Sequence, residues 1–151
     1  MNATSFLQTT AKDATFAARP ELAQTAGRMR GLNLLRGGVT YLLIGVALGV
    51  FMGASGDHSL RSVHTHINLF GWASMGLMGV IYLVLPNLAL TRLAGAHMVL
   101  HHAGLASMML GLAGKLHGVA GADPLLGVGS SIAALAIGVF AFNLLRYGRV
   151  S

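Results

Sequence analysis

Two histidines one residue apart are the side chains of this chain best placed to do chemistry. His64 and His66 open an apolar run that ends at Pro86. At about 1.5 Å per residue the run is roughly 33 Å long, enough to cross a hydrocarbon core of about 30 Å. Ionisable side chains in a membrane span usually mark a functional site, and neutral imidazole is a common ligand of haem iron, copper and zinc. On an α-helix the two rings point about 200° apart, which predicts two sites, or one site shared between neighbouring copies.

A second histidine group follows in the next apolar run. His97 and His101 are four residues apart and share one helix face, which is the spacing of metal ligands, while His102 points about 100° away. An alternative for His97 is a hydrogen bond to the preceding loop. Because this run enters the membrane from the opposite face, we expect His101 to lie roughly 15–20 Å deeper than the first pair.

Two further residues near the first pair could contact a bound cofactor. Arg61 lies three residues before His64 at the predicted membrane interface, where its charge could meet a haem propionate. Trp72 lies eight residues after His64, a two-turn spacing, and is either a wall against a porphyrin or a packing ring.

Composition sets the class of protein. The chain has 151 residues, of which 54% are hydrophobic and 9% charged, with a mean hydropathy of +0.69. These values predict an integral membrane protein. Cysteine is absent, which excludes disulfides and thiolate chemistry. The net charge of +6 comes from tails and short loops without interleaved aromatics, so we expect no nucleic-acid partner.

Four apolar runs predict four transmembrane helices, at Leu34–Ala54, Val63–Pro86, Leu93–Leu116 and Leu125–Tyr147. The chain therefore divides into an N-terminal tail (1–32), a four-helix transmembrane domain (33–147) and a C-terminal tail (148–151). Eight of the ten basic residues lie in the two tails with Arg36 and in the middle loop. The positive-inside rule then places both termini in the cytoplasm.

The segment from His64 to Pro86 resembles the tenth helix of haem–copper oxidase subunit I, most closely in its C-family branch. That helix opens with a His-x-His pair and continues through Gly-Trp and Gly-x-x-Tyr to Leu-Pro. The matching residues are His64, His66, Gly71, Trp72, Gly79, Tyr82, Leu85 and Pro86. The resemblance extends through Gly95-Ala96-His97 to the start of the eleventh helix, and through residues 141–146 to the end of the twelfth. It covers the last three runs and, loosely, the first.

The resemblance implies that His64 and His66 are haem ligands and that each binds haem on its own side of the helix. The family's copper ligands and cross-linked tyrosine lie on helices that this chain does not have, so oxygen reduction by this chain alone is not implied. The family's subunit consists of three arcs of four helices, and this chain has the length of one arc. The resemblance thus implies a small four-helix relative that forms a homotrimer in a bacterial inner membrane.

Three functions follow as alternatives. The first is a haem-b protein that transfers electrons from a respiratory-chain donor or binds O2 or NO at subunit interfaces. The second is a non-catalytic copper-handling or assembly subunit of a respiratory oxidase, with His64 and His66 as a metal relay. The third is a structural partner without a cofactor. Independently of this choice, His97, His101 and His102 are candidates for a metal or haem role.

Overall fold

The structure, a computed structural model, describes residues 19–148, which form helices and no strand. The four long helices are α1 (Arg19–Ser55), α2 (Arg61–Val84), α3 (Arg92–Leu116) and α4 (Ala122–Tyr147). The all-α prediction is confirmed. Helices α1, α2 and α4 are long and apolar enough to cross a membrane. Helix α3 has 25 residues, and its crossing of the membrane stays a prediction, as does the trimer. The predicted tails at 1–18 and 149–151 lie outside the described residues.

Helix α1 begins inside the segment that the sequence assigns to the N-terminal tail. Its first turns pack against the end of α2 and the connector that follows, because they carry small residues on one side. A Cβ atom at Gly27 would lie 2.7 Å from the Tyr82 carbonyl oxygen and 2.8 Å from the Pro86 Cβ. A Cβ atom at Gly31 would lie equally close, 2.7 Å, to the Gly79 carbonyl oxygen. Tertiary contact therefore extends the helix beyond the apolar span.

Helix α2 changes its winding directly after the two histidines. It runs as an α-helix over Arg61–His66, as a π-helix over Ile67–Ser74, and again as an α-helix over Met75–Val84. The Ser74 hydroxyl donates to the Leu69 carbonyl oxygen, five residues earlier, at 2.9 Å. π-Helical turns are rare and occur often at functional sites. This one alters which side chains share a face with the histidines.

Thr91 and Asn143 join the α2–α3 connector to the end of α4. The connector is a 3-10 helix at Pro86–Leu90, and the Thr91 hydroxyl caps α3 by accepting from the Ala94 N–H at 3.1 Å. The same hydroxyl donates to Asn143 Oδ1 at 2.9 Å. The buried Asn143 amide donates to the Leu88 carbonyl oxygen at 3.2 Å. Three elements are thus locked together at one end of the molecule.

Glycines set the close packing of α3 on α4, the most extensive contact between helices. A Cβ atom at Gly104 would lie 2.5 Å from the Ala133 backbone nitrogen, and Cβ atoms at Gly111 and Gly129 would meet the facing backbone even more closely. Small residues that allow backbones to touch are typical of helix packing in lipid.

Large apolar side chains remain uncovered on every long helix. Leu43 of α1 is 64% exposed, Val99 of α3 is 69% exposed and Leu145 of α4 is 87% exposed. Apolar surface of this extent marks contact with lipid or with another chain. It agrees with a protein that lies in a membrane.

Candidate metal centre

His64 points into the groove between α2 and α1. Its Nδ1 atom lies 2.8 Å from the carbonyl oxygen of Gly45, and its Cε1 atom would lie 3.0 Å from a Cβ atom at Gly49. The side chain of Asn68, one turn further along α2, fills the space above Gly45 and donates to the His64 carbonyl oxygen at 2.9 Å. Gly45 and Gly49 of α1 therefore form the seat of the His64 ring, whereas among residues 19–148 nothing lies within 4 Å of the Cβ position of Gly53.

His66 is held by its own helix. Its Nδ1 atom lies 2.7 Å from the Ser62 carbonyl oxygen. The ring stacks on Phe70, with the planes 5° apart and the centroids separated by 6.2 Å. Phe70 was not among the residues predicted from the sequence, although its position four residues after His66 places it on the same helix face. His66 and Phe70 form a flat aromatic pair on a half-buried surface.

The hydrogen bonds assign the same tautomer to both histidines. A carbonyl oxygen only accepts, so Nδ1 of His64 and Nδ1 of His66 must each carry the proton. In the neutral imidazole the lone pair then resides on Nε2. Among residues 19–148, His66 Nε2 has no hydrogen-bond partner, and His64 Nε2 has only the Asn68 amide nitrogen at a long 3.5 Å. Metal-bound histidines show this pattern, with one ring nitrogen donating to a carbonyl and the other facing the metal.

The loop before α2 carries the charges nearest to this pair. Arg61 is the first residue of α2 and is exposed. Asp57, which is also exposed, accepts the Ser59 backbone N–H at 2.9 Å, and this hydrogen bond holds the pKa of Asp57 below its ordinary value. No ion pair joins Asp57 to Arg61 in the described part of the chain. The Arg61 guanidinium is therefore available to an external anion.

Trp72 stands apart from the histidines. Its ring lies about 4 Å from the Cβ position of Gly76 on the same helix. Within the described residues no ring contact joins Trp72 to His64 or His66. Eight residues make two turns only in a continuous α-helix, and here part of the chain from His64 to Trp72 is π-helical. The role of Trp72 as a porphyrin wall stays a prediction.

His97 and His101 form a buried pair between α2, α3 and α4. His97 is 0% exposed and His101 is 3% exposed, and their ring centroids lie 5.4 Å apart at 77°. His97 Nδ1 lies 3.2 Å from the Tyr82 hydroxyl oxygen, and the Phe140 ring packs on His97 with centroids 5.1 Å apart. The predicted shared face of these two histidines is confirmed.

His101 also touches the π-helical segment of α2. Its Nε2–H donates to the Phe70 carbonyl oxygen at 3.3 Å. Phe70 lies only four residues beyond His66, which is about 6 Å along a helix axis. The predicted depth difference of 15–20 Å is therefore too large, because α3 packs further up α2 than its entry from the opposite face suggests. His102 turns away towards α1, with its Cε1 atom 2.9 Å from the Cβ position of Gly37.

The arrangement limits which metals the chain alone could hold. Among residues 19–148, no three His, Asp or Glu side chains come close enough to bind one ion. The two ring nitrogens that this buried pair leaves without a partner are Nε2 of His97 and Nδ1 of His101. A zinc centre with three or four protein ligands would need further residues. The metal role of His97, His101 and His102 as one group stays a prediction.

No protein-family model, curated protein or solved structure matches the chain.

Proposed function

We propose that the protein is a haem-b-binding membrane protein whose axial ligands are His64 and His66. The observation that carries this proposal is the shared tautomer of the two rings. Each donates its Nδ1–H to a backbone carbonyl oxygen, at 2.8 Å for His64 and 2.7 Å for His66. Each thereby keeps its Nε2 lone pair, the group that binds haem iron. When bound, the haem supplies one-electron chemistry or a site for a diatomic gas.

The different seats of the two rings favour a haem shared between chains. His64 bonds to the Gly45 carbonyl oxygen of α1, whereas His66 bonds to Ser62 and stacks on Phe70, both on its own helix. A single iron cannot easily reach both rings of one chain. We propose that the iron lies between His64 of one copy and His66 of the next, in a homotrimer of four-span chains. The uncovered apolar side chains of α1, α3 and α4 supply surface for such contacts and for lipid.

The charge distribution supports the orientation of the site. We propose a bacterial inner membrane with both termini in the cytoplasm, so that Arg61 and the histidine pair lie towards the outer face. A haem held there would direct its propionates to Arg61, which has no ion-pair partner among residues 19–148. Electron transfer from a respiratory-chain donor and binding of O2 or NO are both compatible with such a site.

Spectroscopy of the purified protein tests the proposal. We expect a Soret band and, on reduction, the sharp bands of a low-spin haem with two histidine ligands. Carbon monoxide should leave this spectrum unchanged if the iron keeps both histidines, and should shift it if one position is open. The first result supports electron transfer and the second supports gas binding. A colourless protein from haem-replete cells would contradict the proposal.

Copper handling is the second candidate, because the same two Nε2 atoms suit copper. A purified protein that holds tightly bound copper and no haem would favour copper handling, provided that His64→Ala and His66→Ala each remove the copper. Absence of both haem and metal would favour the structural role.

A further inference from the structure

The buried pair His97 and His101 has a hydrogen-bonding pattern that the haem proposal does not explain. Both side chains are almost fully excluded from the surface, at 0% and 3% exposure. Nε2 of His97 and Nδ1 of His101 nevertheless have no partner among residues 19–148. Buried polar atoms are nearly always satisfied, so two neighbouring exceptions point to a ligand.

The other nitrogen of each ring is held in place. His101 Nε2–H donates to the Phe70 carbonyl oxygen at 3.3 Å. Its Nδ1 atom therefore carries a lone pair. His97 Nδ1 lies 3.2 Å from the Tyr82 hydroxyl oxygen, which can donate to a bare Nδ1 or accept from Nδ1–H. Metal binding requires the second tautomer, in which Nε2 of His97 carries the lone pair. In that tautomer each ring has one nitrogen held by a hydrogen bond and one unused lone pair, as in metal-bound histidines.

The two rings are close enough to share one ion. They stand one turn apart on α3, with centroids separated by 5.4 Å. At metal–nitrogen distances of about 2 Å, two imidazoles on opposite sides of one ion have centroids about 6 Å apart. The observed separation of 5.4 Å is about 0.6 Å shorter than this value, so ion binding requires the two rings to move apart by that amount.

The surroundings of the two rings favour an ion with a single positive charge. The acidic residues of the described chain, Glu21, Asp57 and Asp123, are all exposed, and no third His, Asp or Glu joins the pair. A divalent ion would bring two uncompensated charges into a buried apolar site, and the desolvation penalty rises with the square of the charge. A monovalent d10 ion accepts two nitrogen ligands in a nearly linear arrangement. Copper is the metal in this class that imidazole favours.

We propose that His97 and His101 bind one Cu(I) ion between α2, α3 and α4. The Phe140 ring and the Tyr82 ring shield the site. His102 takes no part, because it faces Gly37 on α1. The site is separate from the pair His64 and His66 and does not depend on the haem proposal.

Anaerobic titration of haem-free, metal-free protein with Cu(I), in competition with a chromophoric Cu(I) chelator, tests the proposal. The wild type should bind one tight equivalent. His97→Gln and His101→Gln should each weaken that equivalent by at least about 100-fold, beyond the 10- to 100-fold typical of lost outer-sphere partners. The matched control is His102→Gln, one residue further along α3, and it should retain wild-type affinity. Equal weakening in all three variants would overturn the assignment.

X-ray absorption of the wild type tests the same site without a substitution, so the result does not depend on whether a variant folds. We expect the edge shape of two-coordinate Cu(I) and two nitrogen neighbours at about 2 Å. Sulfur neighbours, or three or more ligands, would place the ion elsewhere. Tighter binding of Zn²⁺ than of Cu(I) at this pair would overturn the monovalent assignment, and so would the absence of any tight Cu(I) equivalent. None of these results decides the proposed function, because the haem spectrum tests that function independently.

Discussion

The Nδ1 atom of His64 lies 2.8 Å from the carbonyl oxygen of Gly45, across the contact between α2 and α1. This hydrogen bond fixes the tautomer and orientation of His64. It exists because α1 has glycine at positions 45 and 49, where any side chain would occupy the place of the ring or of Asn68. Two glycines at a helix contact thus set the orientation of a histidine that we propose as a haem ligand.

Enlarging this seat should displace the ring. In Gly45→Ala the new Cβ would lie 2.5 Å from the Asn68 amide nitrogen, so Asn68 and the adjacent His64 must shift. We expect weaker haem retention, by about 10-fold, as for other lost outer-sphere contacts. Haem-to-protein ratio after purification measures the effect. The control is Gly53→Ala, whose new Cβ meets no atom of residues 19–148 within 4 Å, and it should retain haem fully.

Removal of each ligand should change the haem spectrum. His64→Ala and His66→Ala should each abolish the low-spin spectrum or convert it to a five-coordinate one that binds carbon monoxide. His101→Ala should leave the low-spin bands largely intact, because that ring contacts the Phe70 carbonyl oxygen and not the ring of His66. Equal loss of the bands in all three variants would show that His101 belongs to the same site.

Much of this arrangement follows from the sequence, and the remainder has identifiable physical causes. Four long helices and the shared face of His97 and His101 follow from apolar runs and helical periodicity. The π-helix at Ile67–Ser74 does not, because its hydrogen bonds shift by one residue without any distinctive side chain. The early start of α1 at Arg19 depends on contact with the Pro86–Leu90 connector, which no local pattern indicates.

The histidine sites, too, follow from the sequence in part and depend on the packed structure for the rest. The sequence identifies His64 and His66, but their hydrogen-bond partners are distant or arise from backbone atoms. Gly45 is nineteen residues before His64, and the acceptor of His101 is a carbonyl group thirty-one residues away. Backbone acceptors leave no trace in residue identity, so only the packed structure gives the tautomers.

Arg61 should influence a bound haem through its charge. We expect Arg61→Gln to weaken haem retention and to lower the midpoint potential, because the cation that offsets the propionates is lost. Arg61→Lys is the charge-preserving control and should restore most of both properties. Redox titration and haem content measure the two effects. Unchanged values in Arg61→Gln would leave Arg61 with only its part in membrane orientation.

The hydrogen bonds that Asn143 makes with Thr91 and Leu88 should contribute to stability without affecting the haem. Asn143→Ala removes a fully buried amide and leaves the Thr91 hydroxyl and the Leu88 carbonyl oxygen without it. We expect a loss of about 1–3 kcal/mol in the free energy of unfolding. Denaturant titration in mixed micelles measures the loss. Ser131→Ala is the control, because the exposed Ser131 hydroxyl donates to the Gly127 carbonyl oxygen of its own helix, and it should change stability by less than about 0.5 kcal/mol.

Co-expression of two defective chains tests whether the haem lies between copies. If each iron takes His64 from one chain and His66 from the next, neither His64→Ala nor His66→Ala alone can form a two-histidine site. A cyclic trimer that contains both variants always has one interface with an intact His64 facing an intact His66. Different affinity tags on the two chains allow these mixed trimers to be purified. They should hold about one third of the low-spin haem of the wild type. Mixed trimers that form and recover no such haem would show that the two ligands are not shared between chains, and the interface model would be wrong.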